Sequence, residues 1–132
     1  MFNGLDHIAI LVADTNEALL VFRDRLKFPV LFTEVLEEQG VRLTHLDLGN
    51  CQLQLVEPIN EDHPLRKILQ AGNTQLHHLC FKVESVSTAI QEFPANEIAM
   101  RDKLPRRGPH KRKAAFLDPV STGDVLLEIT SE

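Results

Sequence analysis

The sequence lacks the features that mark membrane, secreted and thiolate-metal proteins. No hydrophobic run approaches the length of a membrane-spanning helix, and the N-terminus has no signal-peptide pattern. Cysteine is scarce: Cys51 and Cys80 have no metal-binding spacing, and their apolar surroundings indicate reduced thiols in a core. These absences together predict a cytoplasmic protein without a membrane partner.

A strongly basic composition is missing as well. The 132 residues include 14 Lys and Arg against 19 Asp and Glu, and the net charge of −5 argues against a nucleic-acid partner. The length most simply indicates one domain, and 43% hydrophobic residues suffice for a sizeable core. The basic residues are nevertheless concentrated, because half of them lie between Arg101 and Lys113.

Two segments resemble each other, Leu5–Val12 and Leu76–Val83. In each, a Leu stands two residues before a His, and apolar residues follow, which predicts a β-strand. Alternate side chains of a strand share a face, so His7 and His78 each have a small residue beside them on the same face. We therefore expect two equivalent histidines that face one cavity; buried structural histidines are the alternative interpretation.

The rest of the chain repeats the order β-α-β-β-β. The first half is expected to contain strands over Leu5–Val12, Val30–Val35, Val41–Leu48 and Cys51–Val56, and a helix between the Asp14 cap and Pro29. The second half is expected to contain strands over Leu76–Val83, Glu97–Arg101, Arg112–Leu117 and Val125–Thr130, a helix over Ser85–Phe93 and a basic loop over Lys103–Lys111. A short helix from Pro64 to Leu69, ended by Gly72, lies between them. The repeat predicts one domain over 1–132, with module one over about 4–58, a linker helix over about 59–73 and module two over about 74–131.

Each predicted module ends in an apolar strand that contains one polar residue. Gln54 and Glu128 both lie between two apolar neighbours, so both point to the face opposite to those neighbours. Gln54 follows His7 by 47 residues and Glu128 follows His78 by 50, and the longer turn of the second hairpin accounts for the difference. Either residue alone could be an exposed strand position, but the four together indicate one site.

Two imidazoles, one amide oxygen and one carboxylate form a mixed nitrogen and oxygen ligand set. Such a set suits a divalent first-row metal ion such as Co, Mn, Ni, Zn or Fe, and it lacks the thiolates of a structural zinc site. Four protein ligands leave two positions of an octahedral ion open. The set therefore indicates chemistry on a substrate with two oxygens.

Six short segments carry a family resemblance. They are Leu5-Asp6-His7-Ile8-Ala9, Glu38-Gln39-Gly40-Val41, Leu53-Gln54-Leu55-Val56-Glu57-Pro58, Leu76-His77-His78, Ala115-Phe116-Leu117 and Ser121-Thr122-Gly123. Over nearly its full length the chain is similar to the vicinal oxygen chelate superfamily, the glyoxalase/bleomycin resistance/dioxygenase fold, and within it to methylmalonyl-CoA epimerases. The resemblance implies an α+β fold in which two βαβββ modules form an incomplete, cupped barrel. It also implies a homodimer and one metal ion held by His7, Gln54, His78 and Glu128.

The resemblance implies a reaction as well. An epimerase removes the proton between a thioester carbonyl and a carboxylate, and a metal bound to both oxygens would stabilise the resulting enolate as a Lewis acid. Glu128 is the only acidic member of the ligand set and is the predicted proton carrier. A second acid/base must act on the opposite face; Glu37 and Glu38 are candidates, and solvated charges are the alternative interpretation.

The basic segment over residues 101–113 would suit the phosphates of coenzyme A, with a solvated loop as the alternative. Epimerase-like sequences often read Gly-X-His-Gly-Lys where this chain has Gly108-Pro109-His110-Lys111-Arg112. They often have a double Gly where this chain has Gly123-Asp124. The loss of these glycines would reshape the loop over the substrate, and it bears on the CoA ester more than on the metal.

Other activities of the superfamily stay open. A glyoxalase I-like lyase or isomerase would act on a thiol conjugate, and the binding of CoA or glutathione adducts separates it from an epimerase. A ligand-sequestering protein of the bleomycin-resistance type would bind no metal tightly, which the retained ligand set argues against. An extradiol dioxygenase is less favoured because it uses two His and one Glu on Fe(II) and usually has a longer chain.

Overall fold

The computed structural model describes residues 1–71 and 75–132, and its elements follow the predicted order. Up to residue 71 they are β1 (Phe2–Leu11), α1 (Thr15–Leu19, continued by a π-helical segment over Leu20–Arg25), β2 (Val30–Leu36), β3 (Val41–Asp47), β4 (Gln52–Pro58) and α2 (Pro64–Gln70). From residue 75 they are β5 (Leu76–Val83), α3 (Val86–Glu92), β6 (Arg106–Arg107), β7 (Lys113–Phe116) and β8 (Leu127–Ser131). The repeated β-α-β-β-β order is confirmed. The predicted helix end at Gly72 and the predicted boundary between residues 73 and 74 lie outside the described residues.

The chain divides by its internal contacts into two compact units. The internal unit is Ile8–His77, and the terminal unit combines Met1–His7 with His78–Glu132. The divisions fall inside β1 and β5, next to the two histidines of the repeated segments. The module boundaries near residues 58 and 74 stay a prediction.

The internal unit is a sheet with a core on each face. β2, β3 and β4 are antiparallel neighbours, and β1 follows β4 in the strand order. One face packs against α1 through a cluster of Ile8, Ile10, Val12, Leu19, Phe22, Leu46, Leu53 and Leu55. The other face packs against α2 through Ala9, Leu11, Leu36, Val41, Leu43, Val56, Leu65 and Leu69. The face of β1 that carries Ile8, Ile10 and Val12 therefore packs against a helix.

The first helix begins at its predicted cap but changes its hydrogen bonding after five residues. The Asp14 carboxylate accepts the backbone N–H of Glu17 at 3.2 Å. Further along, the Leu26 N–H donates to the carbonyl of Val21, a five-residue spacing that is typical of a π-helix. Within the described part of the chain, no helix has both the length and the apolar character that a membrane crossing requires.

The terminal unit contains the strand order β5-β8-β7-β6, in which β5 and β8 are parallel and the other pairs antiparallel. Ser85 caps α3 by accepting the Thr88 N–H at 3.2 Å. The helix packs on the sheet through a cluster of Val83, Val86, Ala89, Phe93, Met100, Ala115, Leu117 and Ile129. At the edge of this cluster, the Phe2 ring stacks on Phe93 with a centroid distance of 5.7 Å.

The predicted strand over Glu97–Arg101 is wrong. Glu97 has a left-handed backbone with φ of 64°, and in this segment Met100 makes a single bridge to Leu117. The N–H groups of residues 101 and 102 both donate to the carbonyl of Phe116, so they do not alternate along β7 as a ladder requires. On the side of β7 away from β8, the paired strand is instead β6, which lies inside the predicted basic loop.

Both places where epimerase-like sequences often have glycine keep a backbone that glycine favours. Lys111 has φ of 60° and Asp124 has φ of 66°. A side chain in this left-handed region costs about 1–2 kcal/mol per residue. The chain thus takes up these substitutions with local strain.

Candidate metal centre

Three of the four predicted ligands meet in the terminal unit. His7 from β1, His78 from β5 and Glu128 from β8 are all buried. His7 Nε2 lies 3.4 Å from His78 Nε2 and 3.3 Å from Glu128 Oε1. His78 Nε2 lies 3.1 Å from the same carboxylate oxygen. Two imidazole nitrogens and one carboxylate oxygen therefore converge on one point.

The spacing of these three atoms fits a shared metal ion. Nitrogen and oxygen ligands about 2.1 Å from one ion lie about 3.0 Å apart at octahedral angles and about 3.4 Å apart at tetrahedral angles. The three separations above span this interval. The residues present thus fit the divalent ion that the resemblance implies, and they form a group able to hold a metal.

Asp6 fixes the orientation of His7. Its Oδ2 lies 2.7 Å from His7 Nδ1, and its Oδ1 accepts a hydrogen bond from Arg112 Nη1 at 3.0 Å. When Nδ1–H donates to Asp6, the lone pair of Nε2 is directed at His78 and Glu128. A carboxylate behind a ligating histidine sets its tautomer and makes it a stronger ligand.

Arg106 engages the second oxygen of Glu128. Its Nη2 contacts Glu128 Oε2, and its Nε donates to Asp102 Oδ2 at 3.1 Å. The guanidinium carbon lies 4.3 Å from the centroid of the Phe116 ring. The same ring meets the His78 ring edge to face at 5.1 Å. The two oxygens of Glu128 are thus divided, since Oε1 faces the histidines and Oε2 faces Arg106.

The surroundings keep this carboxylate charged. Burial raises the pKa of Glu128, but His7, His78 and Arg106 outweigh burial and hold that pKa well below its usual range. Burial lowers the pKa of His7, yet the carboxylates of Asp6 and Glu128 outweigh it and raise that pKa above its ordinary value. The site therefore presents an ionised oxygen ligand beside two imidazoles.

A neighbouring group of Asp6, His7 and Cys80 also lies within metal-binding distance. Burial, followed by the nearby Glu128 and Asp6 carboxylates, raises the pKa of the Cys80 thiol far above its ordinary value. The thiol is thus protonated at neutral pH, and both oxygens of Asp6 already have partners. The group around Glu128 is the better metal site.

Gln54, the fourth predicted ligand, belongs to the internal unit and is buried there. Its Nε2 donates to His45 Nε2 at 3.0 Å, and His45 Nδ1 lies 2.6 Å from Gln52 Oε1. The His45 ring stacks on Phe32 with a centroid distance of 4.3 Å. This chain of hydrogen bonds fixes the Gln54 amide, and it excludes the alternative of an exposed strand position.

Four residues with direct roles around these side chains were not predicted as site residues: Asp6, His45, Arg106 and Arg112. A signal existed for His45, because the hairpin of β3 and β4 places it directly opposite Gln54. Asp6 directly precedes a predicted ligand, but in a strand it points to the other face at its Cα. The two arginines were hidden in a segment whose composition indicates a solvated or phosphate-binding loop.

Comparisons with known proteins agree on one family. A family model described as the Glyoxalase/Bleomycin resistance protein/Dioxygenase superfamily matches residues 6–116. The uncharacterized protein YqjC of Bacillus subtilis is 32% identical over 127 residues, which cover 96% of this chain and 91% of YqjC. Mouse mitochondrial methylmalonyl-CoA epimerase is 31% identical, with 95% of this chain and 71% of the epimerase covered. A structure of methylmalonyl-CoA epimerase in complex with methylmalonyl-CoA and NH4+ has a TM-score of 0.88 at 32% identity, covering 98% of this chain and 94% of that one.

Proposed function

Because the chain belongs to the Glyoxalase/Bleomycin resistance protein/Dioxygenase superfamily, we propose that it is an isomerase, a metal-dependent epimerase of methylmalonyl-CoA or a close acyl-CoA. The family and the fold class that the sequence predicts are both confirmed. The convergence of His7, His78 and Glu128 in the terminal unit carries the proposal. The substrate in this proposal is inferred from relatives that are methylmalonyl-CoA epimerases.

In this proposal His7, His78 and Glu128 hold one divalent ion of Co, Mn, Ni, Zn or Fe, and Gln54 is the predicted fourth ligand. When bound, the ion would supply a Lewis acid for two oxygens of the substrate. Asp6 keeps the Nε2 lone pair of His7 available for the ion. The Gln54 assignment comes from the sequence, and its hydrogen bond to His45 supports a fixed amide orientation.

Glu128 is proposed as the group that carries the proton in addition to its role as ligand. Its lowered pKa keeps the carboxylate ionised at neutral pH, as a proton acceptor requires. Glu37 and Glu38, the candidates for the second acid/base, are exposed in the turn between β2 and β3. Their exposure supports the interpretation as solvated charges.

The basic loop supports the CoA ester as substrate. Its exposed members are Arg101, Lys103, Arg107, Lys111 and Lys113. Exposed cations in one loop suit the phosphates of coenzyme A. Arg106 and Arg112 have other partners, because each contacts a carboxylate of the terminal unit.

Two expectations follow from the sequence and its resemblance rather than from the geometry. We expect a homodimer, as is usual in the resembled family, and a cytoplasmic location. Sedimentation of the purified chain checks the dimer, and fractionation of cells that express it checks the location.

The test is deuterium exchange at the α-carbon of methylmalonyl-CoA. Metal-stripped protein is incubated with the substrate in D2O, with and without Co(II), and the loss of the α-proton signal is followed by NMR. We expect exchange that requires Co(II) and is lost in Glu128→Ala. Glu84→Ala is the matched control, because Glu84 is an exposed carboxylate of the terminal unit, and it should exchange at the rate of the unchanged protein.

The outcomes separate the candidate activities. Metal-dependent exchange that Glu128→Ala abolishes supports the epimerase. Tight Co(II) binding without any exchange would reject the CoA ester as substrate. The same protein should then be given the hemithioacetal of glutathione, since turnover of that conjugate would identify the glyoxalase I-like alternative.

A further inference from the structure

We propose that Arg106 and Arg112, two residues of the basic loop, are positioning residues of the metal centre rather than phosphate-binding residues. Each holds an oxygen of a carboxylate that in turn contacts the ion-binding atoms. The inference rests on the metal site of the proposed function and assigns these two arginines to it. It divides the loop into residues that serve the metal centre and residues that face solvent.

Arg106 is held on three sides. Asp102 accepts from its Nε at 3.1 Å, the Phe116 ring lies under its guanidinium at 4.3 Å, and its Nη2 reaches Glu128 Oε2. Asp102 is itself fixed, because its Oδ2 also accepts the backbone N–H of Phe116 at 2.7 Å. A guanidinium restrained in this way holds Oε2 of Glu128, so that Oε1 is turned toward His7 and His78. With Oε2 held by Arg106, Glu128 would bind the ion through Oε1 alone.

Arg112 acts on the other side of the centre through Asp6. Its Nη1 donates to Asp6 Oδ1 at 3.0 Å, and Asp6 Oδ2 lies 2.7 Å from His7 Nδ1. A carboxylate with one oxygen on a guanidinium and the other on an imidazole cannot rotate without breaking one of these contacts. Arg112 thus fixes the acceptor that directs Nε2 of His7 toward the ion.

The burial of these side chains separates them from the rest of the loop. The side chains of Arg106 and Arg112 are 24% and 28% exposed, whereas Arg107 is exposed. Arg106 and Arg107 are consecutive residues of β6, so they point to opposite faces of that strand. The chain therefore offers two arginines of one strand, one on the metal centre and one outside it.

The experiment compares Arg106→Gln, Arg106→Lys, Arg112→Gln and Arg107→Gln. Each metal-stripped variant is titrated with Co(II), and its affinity and its visible absorption spectrum are recorded. Loss of an outer partner of a metal ligand typically weakens metal binding by about 10–100-fold, which we expect for Arg106→Gln and Arg112→Gln together with a changed spectrum. Arg107→Gln should leave both unchanged. Arg106→Lys keeps the charge but loses the planar fork, and we expect an intermediate affinity.

The direction in which Co(II) affinity changes distinguishes a positioning role of the arginines from a simple effect of their charge. Removal of a nearby positive charge would by itself make Co(II) bind more tightly, whereas loss of positioning makes it bind more weakly. Unchanged or tighter binding in both Arg106→Gln and Arg112→Gln, with an unchanged spectrum, would overturn the inference. Melting curves of the metal-free proteins show which variants are folded. If Arg106→Gln does not fold, Arg106→Lys tests the positioning role of Arg106 in its place.

Failure of the inference is distinguishable from failure of the proposed substrate. If the unchanged protein fails to exchange the α-proton of methylmalonyl-CoA but the arginine variants bind Co(II) more weakly, the inference stands and the epimerase assignment falls. If exchange occurs and Co(II) affinity does not depend on either arginine, the epimerase stands and the inference falls.

Discussion

The two units use equivalent strand positions for different polar chemistry. In the terminal unit, Glu128 is surrounded by two imidazoles and a guanidinium. In the internal unit, Gln54 occupies the corresponding place in the sequence repeat and is hydrogen-bonded to His45. Both residues are followed by a fully buried apolar residue that packs in the core beside a helix. A duplicated scaffold can therefore keep its core chemistry and vary the charge of one buried position.

The largest expected effect comes from removing the charge that distinguishes the two units. Glu128→Gln gives the terminal unit the amide of the internal one. It also removes one of the two carboxylates that contact Arg106 and leaves Asp102 as the remaining counter-charge. In a titration of metal-stripped protein we expect Co(II) affinity to fall by more than the roughly 10–100-fold that loss of an outer partner causes, because a charged ligand is itself lost. Glu84→Gln, at an exposed position, is the control, and retained affinity in Glu128→Gln would contradict the assignment of Glu128 as a ligand.

The two cores that pack against α1 and α3, one in each unit, should lose similar stability when a large buried side chain is truncated. Leu55 and Ile129 directly follow Gln54 and Glu128, and both are almost completely buried. Leu55→Ala and Ile129→Ala should each lower the free energy of unfolding by about 2–5 kcal/mol, because each leaves a cavity. Urea unfolding of the metal-free proteins measures both, and Val120→Ala, at a 77% exposed position, should cost almost nothing. A large loss in one unit and none in the other would show that the cores are not equivalent.

The hydrogen bonds that link Gln54, His45 and Gln52 can be broken without loss of the ring stacking between His45 and Phe32. His45→Phe keeps an aromatic ring against Phe32 but leaves the Gln54 N–H without its acceptor. A buried donor without a partner costs about 1–3 kcal/mol, and we expect the free energy of unfolding to fall by that amount. Chemical unfolding of metal-free protein is the measurement. Leu104→Phe, at a 78% exposed position of the terminal unit, serves as the control, and equal stabilities of the two variants would argue against the role of His45.

The smallest expected effect concerns the ends of the helical segments in the two units. Lys27 follows the π-helical segment of the internal unit and Glu97 follows the last turn after α3, with φ of 68° and 64°. Glycine is favoured at such positions, so Lys27→Gly and Glu97→Gly should each raise the free energy of unfolding by up to about 1 kcal/mol. Lys67→Gly, inside α2, should lower it by about 1 kcal/mol. Thermal unfolding shows whether each variant is more or less stable than the unchanged protein. Lower stability of Lys27→Gly and Glu97→Gly would contradict backbone strain at these two positions.

The convergence of His7, His78 and Glu128 was predictable from the sequence because the repeat singles out these positions in regular strands. The residues behind the ligands follow no such repeat. Arg106 depends on β6, a strand of two residues that periodicity does not reveal. The apolar residues Ile98 and Met100 alternate like a strand, but they pack in the α3 cluster from an irregular segment. Local patterns thus predict elements and candidate ligands, while the path of a loop decides which side chains contact those candidates.

The discontinuous make-up of the terminal unit has a consequence for how the protein folds. The internal unit is one stretch of chain, so all its contacts are available once residue 77 has been synthesised. The contact between His7 and Glu128 can instead form only after Glu128, which lies 121 residues later in the chain, has been synthesised. Closing so long a loop is entropically costly and slow. We expect the internal unit to fold during synthesis and metal capture to be among the last events of folding.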